Sequence, residues 1–415
     1  MPTLYSYART DFYTGGTAPW TDGYVYVLLG GWNGAPRSVT VFRCSSDLTS
    51  CTQVATGPSV EDFYCCFPQG GKIWFSGMHS TNGGLIGYYD PVAGTFTYQY
   101  SGDTGIRKYL MISAYNNEYG KWFISGIGDA DQQAYITTNP LDFTKYQAVY
   151  TRGGTYAECK WNVGRRYVVR TCSDTSYKIY VHLDQLSDDW STYTQGSLIY
   201  QSPASGPSGW RKYISNGICG GKIWIIDASY DSTANTISYT IYYAPLSNPT
   251  SMTAAFTTPG FAPGRETQAH VACIGNKYVM INTVNSGSDG MLYILDINGN
   301  VIWNTSQKYH SEFMNIALGN LIGLVTENAA ANDIEGRIIK LDEANPYLNV
   351  TTSGYTINVS GAYANSTVYA CKVHSVDGQK CSQYQSFDKC VSATADANGN
   401  ATITVDEAGK WIIVS

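Results

Sequence analysis

The chain has 415 residues, of which 14% are charged (26 basic, 32 acidic, net −6), and it holds 35 tyrosines, 10 tryptophans, 42 glycines and 11 cysteines. Plentiful aromatics with a small net charge exclude a disordered chain, the missing basic excess argues against a nucleic-acid binder, and no apolar run approaches the roughly 18 residues of a spanning helix. A low-charge chain rich in Tyr, Ser, Thr and Gly has the composition of an all-β protein that works outside the cell.

In chain order, Met1 to Arg9 shows no basic segment followed by an apolar one, so no secretory leader is expected. Thr3 to Tyr7 within it reads as a strand. One phrase then recurs: a glycine, a polar residue or two, and an apolar-aromatic strand. It occurs as Gly23-Tyr24-Val25-Tyr26-Val27-Leu28, Gly71-Lys72-Ile73-Trp74-Phe75, Gly120-Lys121-Trp122-Phe123-Ile124 and Gly164-Arg165-Arg166-Tyr167-Val168-Val169. The last three copies are Gly221-Lys222-Ile223-Trp224-Ile225-Ile226, Gly275-Asn276-Lys277-Tyr278-Val279-Met280 and Gly319-Asn320-Leu321-Ile322. Successive glycines are 48, 49, 44, 57, 54 and 44 residues apart. One four-stranded propeller blade takes about 40–50 residues.

Each repeat carries further strands. A run such as Phe63 to Phe67 or Tyr109 to Ile112 precedes the glycine. Third strands follow at Leu85 to Tyr89, Ala134 to Thr138, Ile179 to Leu183, Ile241 to Ala244, Leu292 to Leu295 and Ile338 to Leu341. Turn chemistry such as Asp90-Pro91 or Asp296-Ile297-Asn298-Gly299 leads to a fourth strand, for example Thr95 to Tyr100. Each repeat therefore reads as an antiparallel meander. The seventh lacks a fourth strand, and Thr3 to Tyr7 supplies it, which hides an exposed edge. The expectation is an all-β fold with a seven-bladed β-propeller over residues 1–346. Tyr26, Trp74, Tyr167, Trp224 and Tyr278, each three residues after its glycine, are expected between blades.

From Tyr347 the phrase stops. Leu348 to Thr351, Tyr355 to Val359, Thr367 to Cys371, Ala401 to Val405 and Trp411 to Val414 alternate as short strands, and Asn398-Gly399 signals a hairpin. Residues 347–415 are expected to form a small β-sandwich, which resembles the immunoglobulin-like appendages of surface proteins in architecture but lacks their Cys…Trp…Cys order.

Cysteine spacing places Cys44 with Cys51, and Cys159 with Cys172, across hairpins where a disulfide fits. Two of Cys371, Cys381 and Cys390 are expected to pair. Adjacent Cys65 and Cys66 face opposite sides of a strand, while Cys219 and Cys273 read as small buried apolar residues. No CxxC spacing supports zinc. Asn-x-Ser/Thr sequons at Asn304, Asn349, Asn358, Asn365 and Asn400 are candidate glycosylation sites.

Propeller ligands usually bind on the face where the loops before the first and after the second strand of each blade gather. The first strands open with Asp11, Asp62, Lys108, Glu158, Lys212, Gln268 and Glu312, alternating in sign as a neutral wet channel would. Trp32, His79, Trp210 and Tyr230 fall in loops of that face, where rings can stack on sugars, and Arg107, Arg211 and Arg265 lie beside first strands. These seven residues form the candidate ligand site. The three arginines resemble the cluster with which sialidase-type propellers hold a carboxylate, but sialidases have six blades and Ser-x-Asp-x-Gly-x-x-Trp hairpins, which Ser187-Asp188-Asp189-Trp190 does not match. No nucleophile elbow or zinc helix occurs. Glu61, Asp62, Glu158, Glu266 and Glu312 could converge as paired carboxylates, although nothing singles out two of them. Asp129, Asp131, Asp174, Asp227, Asp231, Asp289 and Asp333 read as turn formers in the loops after the second strands.

The composition is similar to that of surface and virion proteins of archaea from hot acidic habitats, a resemblance of style with no single family matched by motif. It implies a non-enzymatic recognition or structural protein on a virion surface, such as a turret, spike or tail fibre. The expected partners are a host-surface glycan or protein and, through the C-terminal segment, other assembly subunits. No nucleic acid, transmembrane segment, cofactor, metal or catalytic residue is expected. The alternative is an extracellular glycan-processing enzyme, a glycoside hydrolase or sialidase-like protein, with carboxylates in the channel.

Overall fold

A computed structural model describes residues 2–414 apart from 11, 13, 21, 32–35, 103–108, 117–118, 128–130, 154–155, 165, 175, 203–205, 208–209, 263–265, 275–277, 286–288, 308–309, 319–320, 328–332, 341–348, 361–366, 374–389 and 407–409. The described chain is nearly all β, with one short 3-10 turn at Phe143–Lys145. Its recurring unit is a four-stranded antiparallel sheet in sequence order. Asp62–Gln69, Lys72–His79, Gly83–Asp90 and Thr95–Tyr100 make one, and Tyr109–Asn116, Lys121–Ile127, Asp131–Thr137 and Gln147–Gly153 make the next. Glu266–Ile274, Tyr278–Asn285, Asp289–Asp296 and Val301–Gln307 repeat the order.

The glycines of the phrase explain why the first two strands of a unit turn so tightly. Gly70 and Gly71 have φ of 61° and 70°, and Gly220 and Gly221 have 60° and 70°. Such consecutive left-handed residues make the turn whose twist matches flanking strands. Just beyond it, the indole Nε1 of Trp74 donates to the Gln69 carbonyl at 3.1 Å, and that of Trp224 to Cys219 at 3.1 Å. In both units the lysine after the glycine lies over a tyrosine of the third strand: Lys72 over Tyr88 at 4.3 Å and Lys222 over Tyr243 at 4.5 Å. The indole N–H is satisfied while its ring is buried.

Apolar side chains pack chiefly between sheets. Tyr64, Phe67 and Trp74 meet Leu110, Ile112 and Trp122 of the following sheet, with the two indole rings 4.7 Å apart. Phe123 and Ile136 meet Trp161 and Val168 of the next. Leu292 and Ile294 meet Leu324 and Ile339, and Ile338 in turn packs with Val25, Val27 and Phe42. Thr3–Thr10 pairs antiparallel with Asp333–Lys340, from Thr3 opposite Lys340 to Thr10 opposite Asp333. Thr14–Pro19 joins this sheet as well, its Thr14, Gly15 and Gly16 opposite Glu327, Thr326 and Val325. A Cβ on Gly16 would lie 3.0 Å from the Cys65 carbonyl oxygen and the Cys66 sulfur, so glycine lets the two strands approach without displacing either.

One unit departs from the meander. Arg211–Ser215 leaves the sheet of Gly217–Cys219, Lys222–Asp231, Thr236–Pro245 and Thr253–Thr257 and pairs in parallel with Glu266–Ile274. Asn216 makes the break: its Oδ1 accepts the Ile226 N–H at 2.8 Å, and its Nδ2 donates to Thr171 Oγ1 at 3.2 Å. A side-chain amide thus replaces a ladder partner. Asp227 is corrected too: it lies inside the strand Lys222–Asp231 and is buried. Asp174 and Asp231 do form turns, accepting backbone N–H groups of Ser176 and Lys178, and of Thr233 and Ala234.

Disulfides join Cys44 to Cys51 and Cys159 to Cys172, with Cα atoms 4.1 and 4.0 Å apart. Two further pairs differ from the sequence expectation. Cys65 and Cys66 are bonded to each other across a cis peptide, at a bulge where the register shifts. Cys219 and Cys273 are also bonded, Cα atoms 5.2 Å apart. Cys219 ends the first strand of its unit and Cys273 stands one residue before the end of the first strand of the next, so neighbouring sheets bring them together.

Beyond residue 348, Asn349–Ser353, Thr356–Ser360 and Ala401–Thr404 form one three-stranded sheet, and Cys390–Thr394, Thr367–Val373 and Lys410–Val414 another. Ile357, Val359, Val368, Ala370, Ala395 and Ile403 from both share one apolar cluster. The Asn398-Gly399 turn does not make a two-stranded hairpin within a sheet. It carries the chain from Cys390–Thr394 to Ala401–Thr404 in the other sheet, and Asp396 Oδ1 holds the corner by accepting the N–H groups of Asn398 and Asn400.

Candidate functional site

Of the seven candidate ligand residues, Trp32, Arg107 and Arg265 lie outside the described residues. Trp210 and Tyr230 come together. Their half-buried rings are 5.2 Å apart at 58°, and Trp210 also meets the edge of Tyr177 at 6.0 Å. Tyr177 is the buried backing, its hydroxyl 2.6 Å from Thr267 Oγ1 in a neighbouring sheet. A Cβ on Gly206 would overlap the Tyr177 ring, so the chain leading to Trp210 crosses that ring closely. Arg211 follows Trp210 and is exposed, its Nη1 donating to the Tyr213 hydroxyl at 3.4 Å. Tyr230 donates to Asn235 Oδ1 at 3.1 Å. The result is an aromatic shelf beside a guanidinium, an arrangement that offers ring faces and a bidentate donor.

His79, expected in a loop, instead ends the strand Lys72–His79 of another sheet and is engaged there. Its ring meets Tyr100 edge-on at 5.8 Å, and Nδ1 accepts the Thr81 N–H at 3.3 Å.

Beneath the shelf lies a buried ion pair, of which sequence reasoning placed Lys212 in a wet channel and Asp227 in a turn. Lys212 and Asp227 are both almost fully buried, with Nζ 2.6 Å from Oδ1. Lys212 Nζ also donates to Ser202 Oγ at 3.1 Å and sits 4.7 Å from the Tyr177 ring centre. Asp227 accepts from Tyr200 at 2.8 Å and Ser202 at 2.9 Å. Burial pulls the Lys212 ammonium below its ordinary range, against the opposing pull of Asp227. Burial, then Asp227, drives the Tyr200 hydroxyl up. This group holds structure rather than presenting a charge to solvent.

Among the proposed channel carboxylates, Glu61 is buried and accepts the Ser80 N–H at 3.1 Å and Oγ–H at 2.6 Å. Asp62 is buried as well. Glu158, Glu266 and Glu312 lie on the strands Tyr156–Val163, Glu266–Ile274 and His310–Leu318, and their side chains are outside the described residues. No group of three His, Cys, Asp or Glu among the described residues is arranged to hold a metal ion. No described helix is long and apolar enough to cross a membrane. The sequon residues Asn304, Asn358 and Asn400 are exposed, Asn349 opens a strand, and Asn365 lies outside the described residues.

Comparison with known proteins shows a partial likeness in sequence to a viral coat protein. The chain is 36% identical over 106 residues, 25% of its own length, to coat protein TP4 of Thermoproteus tenax virus 1 (strain KRA1), and spans about half (48%) of that protein. No family model matches. Similar solved structures include a prolyl endopeptidase (9% identity, 91% of this chain and 59% of that one, TM-score 0.46) and a triple-arginine mutant of AofleA from Arthrobotrys oligospora (10% identity, 81% and 93%, TM-score 0.41). A puromycin hydrolase follows (10% identity, 85% and 59%, TM-score 0.39). At these values the structural likenesses bear on neither activity nor ligand.

Proposed function

We propose that the chain is a non-enzymatic structural protein of a virion surface, a turret, spike or tail-fibre component that recognises host glycans or surface proteins. The similarity to a viral coat protein carries this reading. Disulfides and low charge fit a protein exposed outside the cell. In this reading residues 1–346 form a seven-bladed propeller and 347–415 an immunoglobulin-like sandwich that contacts other subunits.

Contacts between first strands support the ring. Thr14–Pro19 touches Asp62–Gln69, which touches Tyr109–Asn116, which touches Tyr156–Val163. The series continues through Gly217–Cys219, Glu266–Ile274 and His310–Leu318 and returns to Thr14–Pro19. Seven such strands in a cycle are what a propeller hub requires. The ligand face is the one bearing Trp210, Arg211 and Tyr230, together with Trp32, His79, Arg107 and Arg265.

Purified native particles test the placement: peptides of this chain should co-purify with them at stoichiometric abundance. Their absence from particles, together with their presence in a soluble host fraction, overturns it. Glycan-array binding should fall at least tenfold in Trp210→Ala, and unchanged binding removes the shelf from the site.

A further inference from the structure

We infer that Cys371 and Cys390 form a fifth disulfide and that Cys381 is the odd thiol of the eleven cysteines. The argument is one of register. Cys44 stands directly opposite Cys51, and Cys159 directly opposite Cys172, on neighbouring antiparallel strands. Both pairs are bonded. Directly opposed residues of such strands have Cα atoms about 4.5–5.5 Å apart, within the span of a disulfide. Cys371 of Thr367–Val373 stands directly opposite Cys390 of Cys390–Thr394 in the same way.

Alternation puts both on one face. Val368 and Ala370 are buried in the C-terminal cluster, and Val391, Ala393 and Ala395 pack in or against it. Cys371 and Cys390 are therefore at positions of the opposite face. The bond serves the outer side of this sheet and the chain between residues 371 and 390, not the apolar core. The other eight cysteines are already joined in four disulfides, which leaves Cys381.

The step is thiol–disulfide exchange. The Cys371 and Cys390 thiols lose two protons and two electrons as the S–S bond forms, and a disulfide of an oxidoreductase or small thiol takes them up, becoming two thiols.

Trypsin separates the three cysteines, since Lys340, Lys372, Lys380, Lys389 and Lys410 bound the peptides 341–372, 381–389 and 390–410. Protein from native material is alkylated, deglycosylated and digested without reductant. The expected result is a cross-linked pair of peptides 341–372 and 390–410 that separates on reduction. A cross-link from peptide 381–389 to either of the others overturns the inference, as does alkylation of Cys371 or Cys390. In the Cys381→Ser variant the 341–372 to 390–410 link should persist, and its loss there would also overturn the assignment.

Discussion

Arg170 with Asp184 and Lys212 with Asp227 are ion pairs closed off from solvent in adjoining parts of the molecule, yet they are built differently. Asp184 is saturated: it accepts Arg170 Nε at 2.7 Å and Nη2 at 3.1 Å, the Gly196 N–H at 2.7 Å and the Tyr193 hydroxyl. Burial alone would lower the Arg170 guanidinium, but the bond to Asp184 outweighs it and raises it further. That pair fastens Tyr193–Thr194 and Gly196 back onto Ile179–Leu186 within one sheet. Lys212 instead reaches Asp227 from a strand that has left its own sheet, and burial pulls its ammonium down. One pair locks a fold, while the other pins a break in it.

Removing one partner should separate them. Arg170→Met leaves Asp184 charged and buried, so its cost in denaturant unfolding should be about 3–5 kcal/mol. Adding Asp184→Leu should recover part of this, the remainder staying with the Gly196 N–H and the Tyr193 hydroxyl. Lys212→Met should cost less, about 1.5–3 kcal/mol, since it breaks one charged hydrogen bond to Asp227 where Arg170→Met breaks two to Asp184. Equal losses in both variants would erase the distinction.

The break itself offers a smaller perturbation. Asn216→Ala removes the acceptor of a buried Ile226 N–H, a loss of about 1–3 kcal/mol. Hydrogen exchange at Ile226 should quicken by at least about tenfold. Unchanged protection there would mean that the strand rejoins its own ladder.

These charged pairs also mark where sequence reading stops. The strands of the glycine phrase were legible because a glycine, a polar residue or two and a continuous apolar-aromatic run make a local signal, and Lys72–His79 and Lys222–Asp231 begin where Gly71 and Gly221 place them. Asp184 was not legible. Ile179 and Val181 face the core, so strict alternation sends Asp184 to the solvent side with Tyr180 and His182. Asp184 does stay on that face, for the pairing with Tyr167–Asp174 has no register shift, but Arg170, Tyr193 and Gly196 close over it there and bury it. Likewise nothing before Cys273 pointed to Cys219, because their meeting depends on the ends of first strands in neighbouring units. At the candidate site Trp210 and Tyr230 were singled out as loop aromatics, although Tyr230 lies on the strand Lys222–Asp231, while Tyr177, which supports them, read only as one tyrosine among many.

The mildest test lies in two turns with one plan. In Ser45-Ser46-Asp47-Leu48-Thr49 and Ser187-Asp188-Asp189-Trp190-Ser191, the aspartate at the third position accepts from the hydroxyl two residues before it and from the hydroxyl and backbone N–H two residues on. Leu48 and Trp190 take positive φ of 57° and 55° and are buried. Hydrogen bonds from Ser45 and Thr49 hold the Asp47 carboxyl down at about 2, and those from Ser191 and Ser187 do the same for Asp189, also at about 2. A folded-state value below the unfolded one (about 3.9) stabilises the fold above that unfolded value, and the contribution is lost as pH falls through the folded one. Asp189→Asn removes the titration while keeping an oxygen acceptor. The gap in unfolding midpoint between wild type and this variant should therefore be constant above pH of about 4 and shrink towards pH of about 2. A gap independent of pH across that window would show that the turn is held by its geometry and by Trp190 packing against Phe123, not by the charge.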